Sequence, residues 1–366
     1  MIPLLKVHMP EQAVMAAAET LRSGYVGQGE RVDEFEAVLR SWIGNSNVLT
    51  LNSCTSALQL ALTVSDVEPG DSVISTPMTC LATNCAIRAI GADIIWADVD
   101  SRTGNIRVDD IKAKIKARTK AIMVVHWGGN PAELDEINTL AERHGLRVIE
   151  DAAHALGSEY KGVKIGNHSD FVCFSLQAVK HITTVDGGLL ICKNAKDYRR
   201  ARRLRWYGLD RDAPAGDMRL ASDVMECGFK FHMNDLAAAL GIAQFHYIDN
   251  IIRRHRDNAA FYRAALPQFE AASEAPYSRS AYWLYTLHVR HRDDFVSSMR
   301  ERNVEASRVH RRNDLYSAFE SHKTSLPGLD SFSETMVCIP VGWWLDQEEL
   351  RYIAECVIKC GEPAKI

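Results

Sequence analysis

At 366 residues, 46% hydrophobic and 25% charged, the chain has ordinary globular composition and length for more than one core, which excludes a disordered or fibrous protein. A formal net charge of -4 gives no basic surface for nucleic acid or an anionic membrane. No apolar run nears the roughly 20 residues of a membrane helix, the N-terminus lacks a secretory signal's apolar stretch, and the nine cysteines show no CxxC or His-partner spacing. The expectation is a cytoplasmic protein with reduced thiols, no disulfide framework and no metal site.

Between about residues 47 and 188, short β-branched runs alternate with longer helical patterns, as in a parallel sheet wound by helices. Strands are predicted at 48–51, 72–75, 94–96, 121–125, 147–149, 171–174 and 188–192, with helices starting near Ser56, Ala82, Val108 and Ala132. Open sheets of this kind take ligands at the carboxyl ends of their strands. The basic run Arg199-Arg200-Ala201-Arg202-Arg203 falls in a helical pattern and reads as a solvated face. A long helical stretch from Asn234 to about Ala265 leads to a strand over 282–289 and a helix over 346–358. The expected division is a large domain, residues 1–245, and a smaller one, residues 246–366.

Three segments carry chemistry. Val148-Ile149-Glu150-Asp151-Ala152-Ala153-His154 ends a buried strand in carboxylates, although a carboxylate there also serves as a helix cap. Phe174-Ser175-Leu176-Gln177-Ala178-Val179-Lys180-His181 runs off a strand into a polar loop closing on Asp186-Gly187-Gly188. A lysine in such a loop is ordinarily solvated, but once desolvated and deprotonated its amine forms an imine with an aldehyde. Asn52-Ser53-Cys54-Thr55-Ser56-Ala57-Leu58 passes from strand to helix, where free amides and the helix's positive end attract phosphate; capping alone equally explains Ser53 or Thr55.

These segments occur in order with Ser23-Gly24-Tyr25-Val26-Gly27-Gln28-Gly29, Phe35-Glu36, Ala82-Thr83-Asn84, residues 228–244 and Cys338-Ile339-Pro340. Together they make the chain similar, nearly end to end, to the DegT/StrS nucleotide-sugar aminotransferases among fold-type I pyridoxal-phosphate enzymes. The resemblance implies an α/β fold: a large domain with a mostly parallel seven-stranded sheet flanked by helices, plus a smaller C-terminal α+β domain. It implies pyridoxal 5'-phosphate as cofactor, passing through pyridoxamine 5'-phosphate in turnover, with no metal. It makes Lys180 the Schiff-base lysine, Asp151 the partner of the ring nitrogen and His154 a contact near the phenolic oxygen. Thr55, Ser56 and Ser175 would surround the phosphate, with Cys54 beside them.

Cys80 stands where relatives often stack an aromatic residue on the ring. Lys230 stands where an Asn commonly reaches the neighbouring subunit's phosphate, with Asn234 as the alternative, and Val185-Asp186 replaces a frequent Gly-Glu pair. His126, Trp127, Tyr207 and His310 are candidate substrate contacts, a core-packed His126 being equally compatible. The implied reaction moves an amino group from an amino acid, by resemblance glutamate, to a nucleotide-linked keto sugar for amino-sugar and cell-surface polysaccharide biosynthesis, in a homodimer with shared sites. The alternatives are a sugar dehydratase or lyase, or a non-catalytic cofactor-binding regulatory protein. Lys180 and Asp151 count against the regulatory reading, and some relatives that dehydrate sugars carry His in place of that lysine.

Overall fold

Apolar runs buried on both faces build a central sheet in the computed structural model, which describes residues 1–211 and 223–365. The strands are β1 (Val48–Leu51), β2 (Ser72–Ser75), β3 (Asp93–Trp96), β4 (Thr119–Val125), β5 (Arg147–Asp151), β6 (Phe171–Ser175) and β7 (Gly188–Cys192). Their order is β1-β7-β6-β5-β4-β2-β3, and β7 alone runs against the others. Successive side chains serve opposite faces. Leu49, Val73, Met123, Ile149 and Cys173 enter one core, and Val48, Ile74, Ile122, Val148 and Val172 the other. The expected mostly parallel, seven-stranded α/β fold is present.

Helices cover both faces. α1 (Glu11–Ser23) and α2 (Glu30–Ile43), absent from the predicted elements, precede β1. α2 has a legible apolar stripe, burying Val32, Phe35, Leu39 and Ile43 at helical spacing. α3 (Cys54–Val64), α4 (Leu81–Ala89), α5 (Val108–Lys114) and α6 (Leu134–His144) connect the parallel strands, and α7 (Ala195–Leu204) follows β7. The stretch predicted as one helix after Asn234 is two, α8 (Asp235–Phe245) and α9 (Ile248–Ala265), broken at residues 246–247. Beyond them, β8 (Tyr285–Arg290) pairs with β9 (Met336–Ile339) and β10 (Glu362–Pro363), packed by α10 (Arg292–Glu301), α11 (Pro327–Thr335) and α12 (Gln347–Cys360). β8 starts three residues later than predicted because Tyr282 adopts a left-handed φ of 48°, which interrupts the extended backbone.

Gly188 shows why this sheet edge needs a glycine. It pairs with both Leu51 and Ser175, and an added Cβ would lie 2.3 Å from the Ser53 carbonyl carbon and 2.4 Å from the Cys54 nitrogen. Only a residue without a side chain lets β7 pass beneath the start of α3. Among the described residues no helix is long and apolar enough to cross a membrane, and no His, Cys, Asp and Glu grouping is suited to a metal ion.

A buried ion pair fastens α2 to β1. Glu36 Oε1 accepts from the Thr50 amide (2.9 Å), the Thr50 hydroxyl (3.0 Å) and Arg205 Nη1 (2.6 Å), and Oε2 accepts from Arg40 Nη2 (2.8 Å). Glu36 and Arg205 are each only 3% exposed. Removing one partner of such a pair strands the other in a poorly solvating interior. Glu36→Ala is therefore expected to lower the unfolding free energy by about 3–5 kcal/mol in urea titrations. A loss within the ~0–1 kcal/mol typical of exposed pairs contradicts this reading.

Candidate active site

The carboxyl ends of β1, β2, β4, β5 and β6 and the start of β7 converge on a cavity of about 290 Å³. This is the edge where open parallel sheets bind ligands. Cys54, Thr55, Cys80, Asp151, His154, Ser175, Lys180 and His310, all singled out in the sequence, border it.

The β1–α3 turn supplies donors. Ser53 caps α3, its hydroxyl accepting from the Ser56 amide at 3.0 Å and lying 2.9 Å from the Ser56 hydroxyl. Ser56 thus faces its own cap and does not border the cavity. The first-turn amides of Cys54 and Thr55 sit at the helix's positive end, with the Thr55 side chain beside them. Ser175, at the end of β6, borders the same cavity, and its hydroxyl accepts from the Gln177 amide at 3.3 Å.

Asp151 is fixed at the tip of β5. Its Oδ2 accepts from the Thr83 hydroxyl (2.6 Å), and its Oδ1 from the Ala153 amide (3.1 Å). Thr83, in the first turn of α4, is itself 2.7 Å from the hydroxyl of Thr79, which precedes that helix. Burial raises the Asp151 carboxyl pKa, and these two hydrogen bonds and Lys180 oppose the rise by favouring the charged form. Burial lowers the Lys180 pKa from 10.5 to about 8, against the pull of Asp151. The Lys180 amine sits 3.4 Å from the centroid of the Trp283 ring. Burial pushes the Cys54 thiol well up, which keeps it protonated.

His154 and His310 face each other, with their Nε2 atoms 3.4 Å apart. Burial drives His154 well below the usual imidazole range and His310 down to about 3. His154 Nδ1 is buried without a hydrogen-bond partner, in a side chain that borders the cavity.

The other candidates lie elsewhere. His126 is fully buried: its Nδ1 accepts from the Ala132 amide (3.1 Å), so Nε2 carries the hydrogen and donates to Glu150 Oε2 (2.8 Å). It belongs to the core and does not line the cavity. Trp127 stands behind the two histidines, edge-on to His154 and His310, its indole nitrogen donating to the Thr286 hydroxyl at 3.1 Å. Tyr207 is exposed, with a left-handed φ of 57°, and lies outside the cavity. Lys230 and Asn234 are also exposed and outside it; the Asn234 side chain caps α8 by accepting from the Ala237 amide at 2.8 Å. Thr79, Thr83 and Trp283 are site residues absent from the predicted set. The four-residue spacing of the threonines was a readable signal. Trp283 was hidden inside a predicted strand.

The sequence pattern of the DegT/DnrJ/EryC1/StrS aminotransferase family matches residues 8–358. The chain belongs to this family. It is similar to the solved structures of AtS13 from Actinomadura melliaura (42% identity, TM-score 0.94, 98% of each chain covered). It is equally close in fold to the sugar aminotransferase CalS13 from Micromonospora echinospora (37% identity, TM-score 0.94, 98% of this chain and 100% of that one). The UDP-4-amino-4-deoxy-L-arabinose–oxoglutarate aminotransferase of Shewanella sediminis is 37% identical over 268 residues, 72% of this chain and 69% of that protein. As a member of the DegT/DnrJ/EryC1/StrS family, the chain joins sequence motifs and cavity at the same sheet edge.

The depressed Lys180 pKa has a defined pH signature. Between about 8 and 10.5 the unfolded chain holds a proton on this lysine that the folded chain does not, so this group's contribution to stability improves as pH rises through that window. In the cofactor-free protein, reductive methylation of Lys180, followed by peptide mass spectrometry, should rise with a midpoint near 8. Surface lysines should follow their ordinary value of about 10.4. Lys180 titrating with the surface lysines contradicts the assignment.

Proposed function

We propose that this chain is a pyridoxal 5'-phosphate-dependent aminotransferase that moves an amino group from an amino acid onto a keto sugar. The observation that carries the proposal is the meeting of a depressed lysine, Lys180, and a hydrogen-bonded buried carboxylate, Asp151, in one cavity at the sheet's carboxyl edge. The residues fit the cofactor: the cavity has an amine for its aldehyde, a carboxylate for its ring nitrogen and helix-start donors for its phosphate. The unpartnered His154 Nδ1 is available to the ring's phenolic oxygen.

When bound, the cofactor supplies an aldehyde that captures amines and a ring that accepts electrons from the substrate's α-carbon. Lys180 Nζ holds it between turnovers. As a free amine, Lys180 Nζ would be the base positioned to take the donor's α-proton. At pH 7 a pKa near 8 leaves about a tenth of such amines neutral, against roughly one in three thousand for an ordinary lysine. Asp151, whose charged form the Thr83 hydroxyl and the Ala153 amide favour against the cost of burial, would hold the ring nitrogen's proton and so favour electron withdrawal. Thr55, Ser175 and the amides of Cys54 and Thr55 take the phosphate; the Ser56 hydroxyl, turned to Ser53, supports the cap. Cys80 and Trp283 line the cavity that would take the ring.

The donor is glutamate and the acceptor a nucleotide-linked keto sugar, a reading supported by the oxoglutarate and UDP-sugar in the name of the Shewanella relative. The active form is a homodimer in which Lys230, exposed ahead of α8, serves the phosphate of its partner's site. Its position outside its own chain's cavity supports this.

Mixing the protein with cofactor and glutamate should convert the aldehyde to the amine form by absorbance, and adding nucleotide keto sugars should return an amino sugar detectable by mass spectrometry. Absence of the first conversion defeats the aminotransferase reading. Mixing inactive Lys180→Ala and Lys230→Ala chains should restore activity in hybrid dimers, since one site then has both residues; no recovery would place Lys230 outside the partner's site.

A further inference from the structure

We propose that His310 is a positioning residue: its Nε2–H hydrogen-bonds to His154 Nε2 and fixes His154 as the Nδ1–H tautomer, which presents a donor to the phenolic oxygen of the bound cofactor. The inference rests on the cofactor reading above and goes beyond it by giving His310 a role through His154 instead of through the sugar.

Ring geometry carries the argument. The two imidazole planes differ by 6°, the Nε2 atoms are 3.4 Å apart and the centroids 5.4 Å apart. Face-to-face packing brings centroids far closer, as where Trp283 lies on His154 at 3.9 Å. The histidines therefore meet edge to edge in nearly one plane, the arrangement of an N–H···N hydrogen bond. Trp283 lies on His154, inclined 27°, and is inclined 24° to the more distant His310 at 6.3 Å between centroids, and Trp127 stands across both at 74° and 77°. Two tryptophans flank the pair.

Protonation decides the rest. Burial and the nearby Lys180 keep both imidazoles neutral, so each carries one hydrogen. Two hydrogens between the facing Nε2 atoms would clash, and two lone pairs would repel without compensation. One hydrogen must lie there. The far nitrogen of His154 is buried without a protein partner, and the cofactor oxygen it meets is an acceptor once ionised. Nδ1 must then be the donor, which leaves Nε2 as acceptor and assigns the shared hydrogen to His310.

The backbone points the same way. Val309, a β-branched residue, is held at a left-handed φ of 62°, a conformation that persists only where surrounding contacts impose it. Its amide donates to Ser307 Oγ at 3.0 Å. Three residues beyond His310, buried Asn313 accepts from Asn84 (2.8 Å) and donates to the Thr79 carbonyl (2.9 Å), tying this segment to the loop that carries Cys80.

The test uses full-length protein with ¹⁵N-labelled histidine, cofactor-free and cofactor-loaded, in long-range ¹H–¹⁵N correlation spectra. The expected hydrogens are on His154 Nδ1 and His310 Nε2 in both states. In loaded His310→Phe, loss of the tautomer lock should raise the pH midpoint of the cofactor's visible colour change by about one unit, a tenfold shift in protonation. His310→Gln, whose amide can still donate, should keep the wild-type midpoint. A hydrogen on His154 Nε2, an unmoved midpoint in the Phe variant, or a Gln variant no better than Phe would overturn the proposal. Failure of the Lys180 reading is separable: no variant would then acquire the visible band, while the tautomer in the cofactor-free protein is still decided by the wild-type spectrum.

Discussion

Burial of an amine beside a buried carboxylate is the constraint on which the site depends. Water would hold Lys180 protonated and screen it from Asp151; the packed edge of the sheet does neither. Burial lowers the lysine's pKa and raises that of the aspartate, shifts that together would neutralise the pair. The protein opposes only one of them with hydrogen bonds. Asp151 receives the Thr83 hydroxyl and the Ala153 amide, which favour its charge, whereas Lys180 faces the Trp283 ring, a weaker partner. The outcome is a lysine with a depressed pKa next to a carboxylate whose charged form is supported by two hydrogen bonds against the cost of burial.

The fold serves this pair by geometry. Parallel strands deliver their carboxyl ends to one edge, and β7, running the other way, returns the Lys180 loop to that edge through Gly188. The Glu36–Arg205 pair holds α2 against β1, whose next turn carries the α3 donors. The segments bearing Trp283 and His310 close the cavity from a distant part of the chain, and left-handed Tyr282 and Val309 turn the chain immediately before each.

Much of this was legible in the sequence, for a physical reason. Strands buried on both faces read as compact β-branched runs, and all seven were located within a few residues. Residues at strand ends are contiguous in sequence, so Asp151, His154, Ser175 and Lys180, which the fold brings to one cavity, could be picked out from short motifs. Contacts between distant segments leave no such trace. Trp283 lies more than a hundred residues from Lys180 and went unnoticed; His310, farther still, was legible as a candidate substrate contact but not as the partner of His154, and a non-glycine residue in the left-handed region carries no compositional mark. The two-residue break between α8 and α9 was equally silent. Ser56 and His126 show the converse limit: the residue type suits a ligand, but a neighbouring cap or carboxylate already occupies its polar atoms.

The central claim is that Lys180 carries the cofactor. It is tested most directly by reducing the wild-type, cofactor-loaded protein with borohydride and mapping the phosphopyridoxyl-modified peptide by mass spectrometry. The account predicts a single modified lysine, Lys180. Stoichiometric modification of any other lysine, with Lys180 left free, would contradict it.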